Sequence, residues 1–363
     1  MTERLLSRRE MLKTLAIGAG LIYVPGLLSA CYTVAKTATL VDKARPLEKT
    51  CTPRPQNTIE PTPTITATPL PERLAAPEPT PRAQSTAEQQ PTSTAVEIAL
   101  DPTRWKEWPV VPKWIHPKIK DIYNRGVSGG TNNPHVFSKA GDCENIPTSG
   151  YLFGKLDKPG SFNLGEHGDL AAVIKWFSSS WSWFPPTVHG GQNAAGILVV
   201  NPLIRYDNNH QKDCLPTQSY LECEVEQRQP SLLLISYEQE LQSLDNYKKY
   251  LNMVVGYALD HNIVPIVTTC ANSEAINGKV AEVAFENSIP MWNFWRAVQP
   301  LKNIFDPGLH DGFHLSWGGE IENFDFSDPH PTAWNIRNLT GVEAIKAVLE
   351  MVNSDFRAYE KNF

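Results

Sequence analysis

The chain has 363 residues and a formal charge of −6, from 33 lysines and arginines against 39 aspartates and glutamates. No basic stripe stands out, so nucleic acid is not an expected partner. Six cysteines (Cys31, Cys51, Cys143, Cys214, Cys223 and Cys270) form no Cys-x-x-Cys pair and no Cys/His cluster at zinc spacing, so no zinc site is expected.

Residues 1–31 read as an export signal. Ser7-Arg8-Arg9-Glu10-Met11-Leu12-Lys13 sets paired arginines before an uncharged, largely apolar run from Thr14 to Ala30. That run holds Gly18, Gly20, Pro25 and Gly26 and is short for a spanning helix. A basic start, an apolar middle and small residues at a cut are the parts of a signal peptide. The paired arginines followed by Met-Leu-Lys resemble a twin-arginine signal. Leu28-Ser29-Ala30-Cys31 resembles a bacterial lipobox. That resemblance implies that Cys31 is lipidated and anchors the mature chain to membrane lipid through its acyl chains. The alternative is an uncleaved N-terminal anchor helix. Both place the remainder of the chain outside the cytoplasm.

Residues 32–104 form a stalk. From Thr33 to Arg104 there is neither an aromatic residue nor a glycine, and prolines recur among many threonines. Such a stretch buries too little apolar area to offset its ordering entropy. Its prolines favour an extended polyproline conformation, which suits a spacer holding a domain away from a membrane. The Thr/Pro composition also suits O-glycosylation. Cys51 lies here, either without a partner or paired between chains.

Composition changes at Trp105, and residues 105–363 read as one large domain with a buried core. Short apolar runs bounded by turn residues predict strands at His135–Lys139, Gly196–Asn201, Ser231–Ser236, Ile263–Thr269 and Pro290–Phe294. Helical spacing predicts helices at Asp169–Ser178, Leu244–His261, Asn272–Asn287 and Gly341–Asn353. Strands alternating with helices argue for an α/β fold, a mostly parallel sheet of about five strands covered on both faces. The functional crevice of such a sheet lies at the carboxyl ends of its strands. Cys214 and Cys223 fall in a polar, insertion-like stretch from Asp207 to Glu226. In an oxidising compartment they are expected to form a disulfide closing that loop.

Two short segments carry the chemistry. In Asp311-Gly312-Phe313-His314-Leu315, an aspartate three residues before a histidine can share one turn with it. The carboxylate then accepts from the imidazole and leaves the other ring nitrogen free as a base. Gly141-Asp142-Cys143 directly follows the first predicted strand. A nucleophile there sits at a strand's carboxyl end, and a following helix would aim its N–H groups at an oxyanion.

These two segments resemble the first and fifth sequence blocks of the SGNH (GDSL-like) hydrolases, Gly-Asp-Ser and Asp-x-x-His. The resemblance spans most of residues 134–352. It implies a three-layer α/β/α sandwich, related to flavodoxin-like folds, that cleaves acyl esters on lipids or acetylated sugars without metal or cofactor. It also implies a Cys143–His314–Asp311 triad, with cysteine in the family's serine position. Cysteine is a competent nucleophile whose pKa a neighbouring histidine or helix N-terminus lowers. The second block implies Gly190 or Gly191 as an oxyanion donor. In the third block, Tyr237 and Gln239 stand where the family has glycine and asparagine, so the Gln239 amide is the remaining oxyanion candidate.

Other signals bear on the same crevice. The aromatic run Trp176 to Phe184 could stack on sugar rings or pack on the core, and Trp317 is a candidate crevice wall. Residues 317–334 look like an insertion that forms a rim or plain surface loop. His310 and His314, four apart, are set among Pro307 and Gly308 and lack the glutamate of a zinc protease motif. Two functions remain open. One is a cell-surface acyl-ester hydrolase. The other is a catalytically silent domain of the same fold that binds a glycan, an acyl group or a peptide.

Overall fold

The computed structural model describes residues 101–148, 151–200, 214–239, 242–319 and 321–363. The expectations for the export signal, the Cys31 anchor, the stalk and Cys51 lie outside these residues.

The most apolar run forms the middle of the sheet. Pro230–Ser236 is strand β2, with every residue buried. Burying one leucine of this run stabilises the fold by about 1.5–3 kcal/mol. On one side β2 pairs in parallel with β1 (Asn133–Gly141), from Phe137↔Leu232 through Gly141↔Ser236. On the other it pairs with β3 (Val264–Thr268), which in turn pairs with β4 (Met291–Trp292). The order is β1-β2-β3-β4, all parallel. The fifth strand expected at Gly196–Asn201 is corrected. Gly196–Leu198 is a 3-10 turn, tied by the Gly196 and Ala195 N–H groups to the Asn193 side chain. A single parallel bridge at Val188 extends the sheet beyond β1 instead.

Parallel neighbours need crossovers, and helices supply them. Helix α1 (Pro117–Ser128) starts where the His116 side chain caps Lys118 N–H and proline takes the first position. After β1 come α2 (Ala171–Trp176) and α3 (Tyr220–Arg228). The first is preceded by a 3-10 turn at Gly168–Leu170, so the predicted helix Asp169–Ser178 is split and shortened. The second gives the end of the polar stretch 207–226 a helix, while residues 207–213 lie outside the described residues. Ser219 and Glu222 form a capping box that nucleates α3 there. Cys223, within α3, is disulfide-bonded to Cys214.

Helix α4 (Leu244–Asp260) joins β2 to β3, and α5 (Glu274–Glu286) joins β3 to β4. Serines 243 and 273 cap them. The strand predicted over Pro290–Phe294 keeps only two residues, because Asn293 caps the short helix α6 (Phe294–Val298). Helix α7 (Ala333–Val352) begins eight residues before the predicted start, where Thr332 accepts from Asn335 N–H. Its first residues, Ala333 and Trp334, therefore absorb the end of the expected rim. Helix α8 (Ser354–Glu360) ends the fold. Helix α7 packs on α1, α2, α6 and α8, while α4 packs on α5. Among the described residues, no helix is long and apolar enough to cross a membrane.

Most of the aromatic run goes into the core. Phe177 and Trp181 are fully buried and meet Phe137 edge to face at 5.3 and 4.8 Å. Beside them sit two buried ionisable groups. Lys139 donates to the carbonyls of Ser180 and Trp181, and burial pushes its pKa down to about 7. Glu224 accepts from Ser138 and Trp183, and burial pushes its pKa up to about 7.

Candidate functional site

The end of β1 is pinned on both sides. Gly141 pairs with Ser236 of β2, donates to Thr187 O at 3.1 Å and accepts from His189 N–H at 3.2 Å. A Cβ on Gly141 would stand 2.2 Å from Asn145 Nδ2 and 2.3 Å from Ser236 O, so only glycine fits. Asp142 then turns the chain. Its side chain is fully buried; one oxygen accepts from Glu144 N–H at 3.3 Å and the other from Glu238 N–H at 2.9 Å. The Asp142 carboxylate thereby clamps the end of β1 to the residue just past β2. Asn145 adds a second clamp, donating to Ser236 O at 3.0 Å.

Cys143 opens the one-turn 3-10 helix Cys143–Asn145 and is half-buried. The other described cysteine outside a disulfide, Cys270, is buried, and burial together with Glu238 pushes its thiol pKa up. Partly exposed thiols are the ones open to reaction, whereas buried ones are inert.

The second segment forms the turn its spacing predicts. Asp311 Oδ1 accepts from the backbone N–H groups of Phe313 (2.9 Å) and His314 (3.0 Å), and Oδ2 meets His314 Nδ1 at 2.5 Å. Gly312, at φ +62, supplies the left-handed residue the turn requires. Burial alone would raise the Asp311 pKa; the His314 ring and the two backbone donors outweigh it and hold the carboxylate below its usual range. The His314 and Asp311 side chains are 18% and 25% exposed.

Hydrogen bonds dock this turn on the fold. Leu315 and Ser316 run beside Phe305 and Ile304, and Ser316 Oγ accepts from Ala333 N–H at the start of α7. One turn further along α7, Arg337 reaches back to the sheet. It donates to Ser236 Oγ at 3.1 Å and faces Glu238 at 3.6 Å. Its guanidinium lies over Trp292 and Phe294, 5.5 and 4.8 Å from their ring centres. The turn after β1, the end of β2 and the start of α7 thus meet in one buried cluster of Asp142, Glu144, Glu238 and Arg337.

Three carboxyls share one guanidinium there, out of water. Burial, with Glu144 and Asp142 as like charges, pushes the Glu238 pKa well up against the opposing pull of Arg337. Burial and Asp142 likewise raise Glu144, to about 7, against the opposing pull of Arg337 and His314. Glu144 Oε2, Asn145 Oδ1, the Tyr237 hydroxyl and Arg337 Nε and Nη1 are buried with no hydrogen-bond partner among the described residues. Neither Glu144 nor Arg337 was marked out by the sequence. A glutamate after a cysteine reads as a surface residue, and Arg337 sits in a helix whose period gives no sign of a buried cation. Glu238 directly precedes the oxyanion candidate Gln239 in sequence, and its side chain is buried toward Arg337.

The oxyanion candidates lie where the sequence order puts them. His189 bonds the end of β1, so Gly190 and Gly191 follow the segment bridged to that strand. Gly190 is half-buried and Gly191 is exposed with φ +75. Gln239 is half-buried, two residues past Tyr237, whose side chain is buried. Trp317 is 53% exposed, three residues past His314. Among the described residues no group of three or more His, Cys, Asp or Glu side chains is placed to hold a metal.

A cavity of about 310 Å³ lies at the other end of the sheet. Trp108, Trp114, Phe285 and Met291 help to line it, next to the amino end of β4. It contains no residue of the two turns. Compared with family models, curated proteins and solved structures, the chain matches none of them.

Proposed function

We propose that the domain is an SGNH-type acyl-ester hydrolase, carried outside the cytoplasm on a lipid anchor and stalk. The observation that carries the reading is the Asp311–His314 contact at 2.5 Å, in a turn docked on α7 and carrying a half-buried imidazole. In this reading His314 takes the proton of Cys143. The thiolate attacks the ester carbonyl carbon and its electron pair moves onto the carbonyl oxygen. Collapse of the tetrahedral adduct expels the alkoxide, which His314 protonates, leaving a thioester on Cys143. Water, deprotonated by His314, then attacks the thioester and releases the acid and the free thiol. Asp311 fixes the imidazole tautomer throughout. The N–H groups of Cys143 and of Gly190 or Gly191, with the Gln239 amide, are the donors for the oxyanion.

Steady-state hydrolysis of small acetyl and aryl esters tests this reading. Cys143→Ala and His314→Ala should each abolish turnover; wild-type rates in both would remove the triad.

One observation favours a silent, ligand-binding domain. Three carboxyls (Asp142, Glu144 and Glu238) cluster around the turn that carries Cys143, and such charges would disfavour an anion developing nearby. A binding domain needs no oxyanion, and it predicts no turnover and unchanged glycan, acyl or peptide binding in Cys143→Ala.

A further inference from the structure

We propose that Thr187 is a positioning residue for the oxyanion donor: its hydroxyl bond to the Lys139 carbonyl lays residues 187–190 along the outer edge of β1 and sets Gly190 beside Cys143. The proposal rests on reading Cys143 as the nucleophile and Gly190 as a donor to the oxyanion.

Three observations carry it. The first is the register. Gly141 N–H donates to Thr187 O at 3.1 Å, His189 N–H donates to Gly141 O at 3.2 Å, and Gly141 is bridged in parallel to Val188. Counting two residues on from that bridge sets Cys143 on one side against Gly190 on the other. Gly191, one residue further, is exposed with φ +75, so the chain turns there. The second is the donor. Alternation along a strand turns the main chain of Lys139, two residues before Gly141, to the same edge. Pro185 and Pro186 carry no N–H, so they cannot continue the ladder upstream. The Thr187 hydroxyl makes the last bond, donating to the Lys139 carbonyl at 2.5 Å.

The third is burial. Thr187, Val188 and Lys139 are all fully buried. Removing the hydroxyl would leave a buried carbonyl short of a donor. Lys139 is itself fixed, its Nζ donating to the carbonyls of Ser180 and Trp181 at 3.3 and 2.7 Å. One residue of β1 thus holds the segment at two places, residues 180–181 through its side chain and Thr187 through its main chain. Thr187 lies three residues before Gly190 in the chain. An oxyanion donor works only within about 2.7–3.1 Å of the developing charge, so a small shift of the segment weakens it. The ground-state ester carries no such charge, so the loss falls on kcat rather than KM.

The test is steady-state hydrolysis of an activated aryl acetate by the full chain. Thr187→Val keeps the side chain's shape and removes the donor. It should lower kcat about tenfold, less than the roughly 10²–10³ that loss of a whole donor costs, with KM within about twofold of wild type. Thr187→Ser keeps the hydroxyl and should restore kcat to within about twofold. An unchanged kcat in Thr187→Val overturns the proposal, and so does a loss carried wholly by KM. If Thr187→Val does not fold, Thr187→Ser decides. A folded serine variant with wild-type kcat upholds the role of the hydroxyl, and one with kcat about tenfold lower overturns it, because the hydroxyl is still present. Turnover that is lost in Cys143→Ala yet unchanged in Thr187→Val removes the role of Thr187 alone. No turnover in the wild-type chain removes the hydrolase reading, and the role of Thr187 with it.

Discussion

The turn after β1 and the turn before α7 are held in opposite ways. Asp311, Gly312, Phe313 and His314 are ordered by bonds among themselves, spanning three residues and partly exposed. Gly141, Asp142 and Asn145 are ordered mainly by partners distant in sequence, in the segment 187–189, in β2 and just after β2. A local turn keeps its geometry when distant parts of the protein change. A long-range cluster keeps its geometry only while the whole fold is intact. Mutation should therefore affect activity and stability very differently in the two turns.

The largest effect on stability is expected at Arg337. Replacing it with methionine leaves Glu238 and Glu144 buried beside Asp142 with no cation, and breaking such a cluster costs about 3–5 kcal/mol. Urea unfolding measures this. A loss below about 1 kcal/mol would show that Arg337 does not hold this cluster together.

The local turn should behave in the reverse manner. Asp311→Asn keeps the turn's shape but loses the anion that orients His314. Ester turnover should fall by about 10²-fold or more, while the unfolding midpoint stays near wild type. A stability loss as large as that of the Arg337 variant would mean the turn is not self-contained.

Next in size is Gly141→Ala. Its Cβ would press on Asn145 and on the Ser236 carbonyl, and backbone cannot yield as a side-chain end can. A loss of about 1–3 kcal/mol follows, again read by urea unfolding. Gly312→Ala, in the local turn, should cost less, since nothing lies within 4 Å of its Cβ and only its φ of +62 is strained.

The smallest prediction concerns pH. Glu144 and Glu224 have folded pKa values raised to about 7, so the folded chain holds extra protons between about pH 4.5 and 7, and the raised Glu238 acts in the same direction. Stability contributed by these groups is lost as pH rises through that window. Lys139 is shifted down to about 7, so the unfolded chain holds the extra proton above that pH and stability recovers there. Asp311 acts only at the acid end: its depressed pKa stabilises the fold above about pH 4 and is lost below. Urea midpoints should pass through a minimum near neutrality. A maximum there would contradict the burial of these groups.

The same contrast explains what could be read from the sequence. β2 was legible because Ser-Leu-Leu-Leu-Ile-Ser is buried throughout and nothing in it suggests another period. The Asp311–His314 turn was legible because its partners are three residues apart. Ser219 and Glu222 carried a readable capping signal inside a stretch whose polarity suggested a loop. The run at Gly196 failed as a strand because Asn193 captures its first N–H groups, an interaction that hydrophobicity does not encode. Arg337 meeting Glu238 depends on how α7 is laid on the sheet, and no local pattern specifies that.

The most direct test of the account is acylation of the full chain by an activated aryl acetate, quenched during turnover and mapped by peptide mass spectrometry. The account predicts an acetyl thioester on Cys143, lost in Cys143→Ser as a thioester and greatly reduced in His314→Ala. Turnover that proceeds unchanged in Cys143→Ala, or no acyl adduct and no turnover in the wild-type chain, would contradict it.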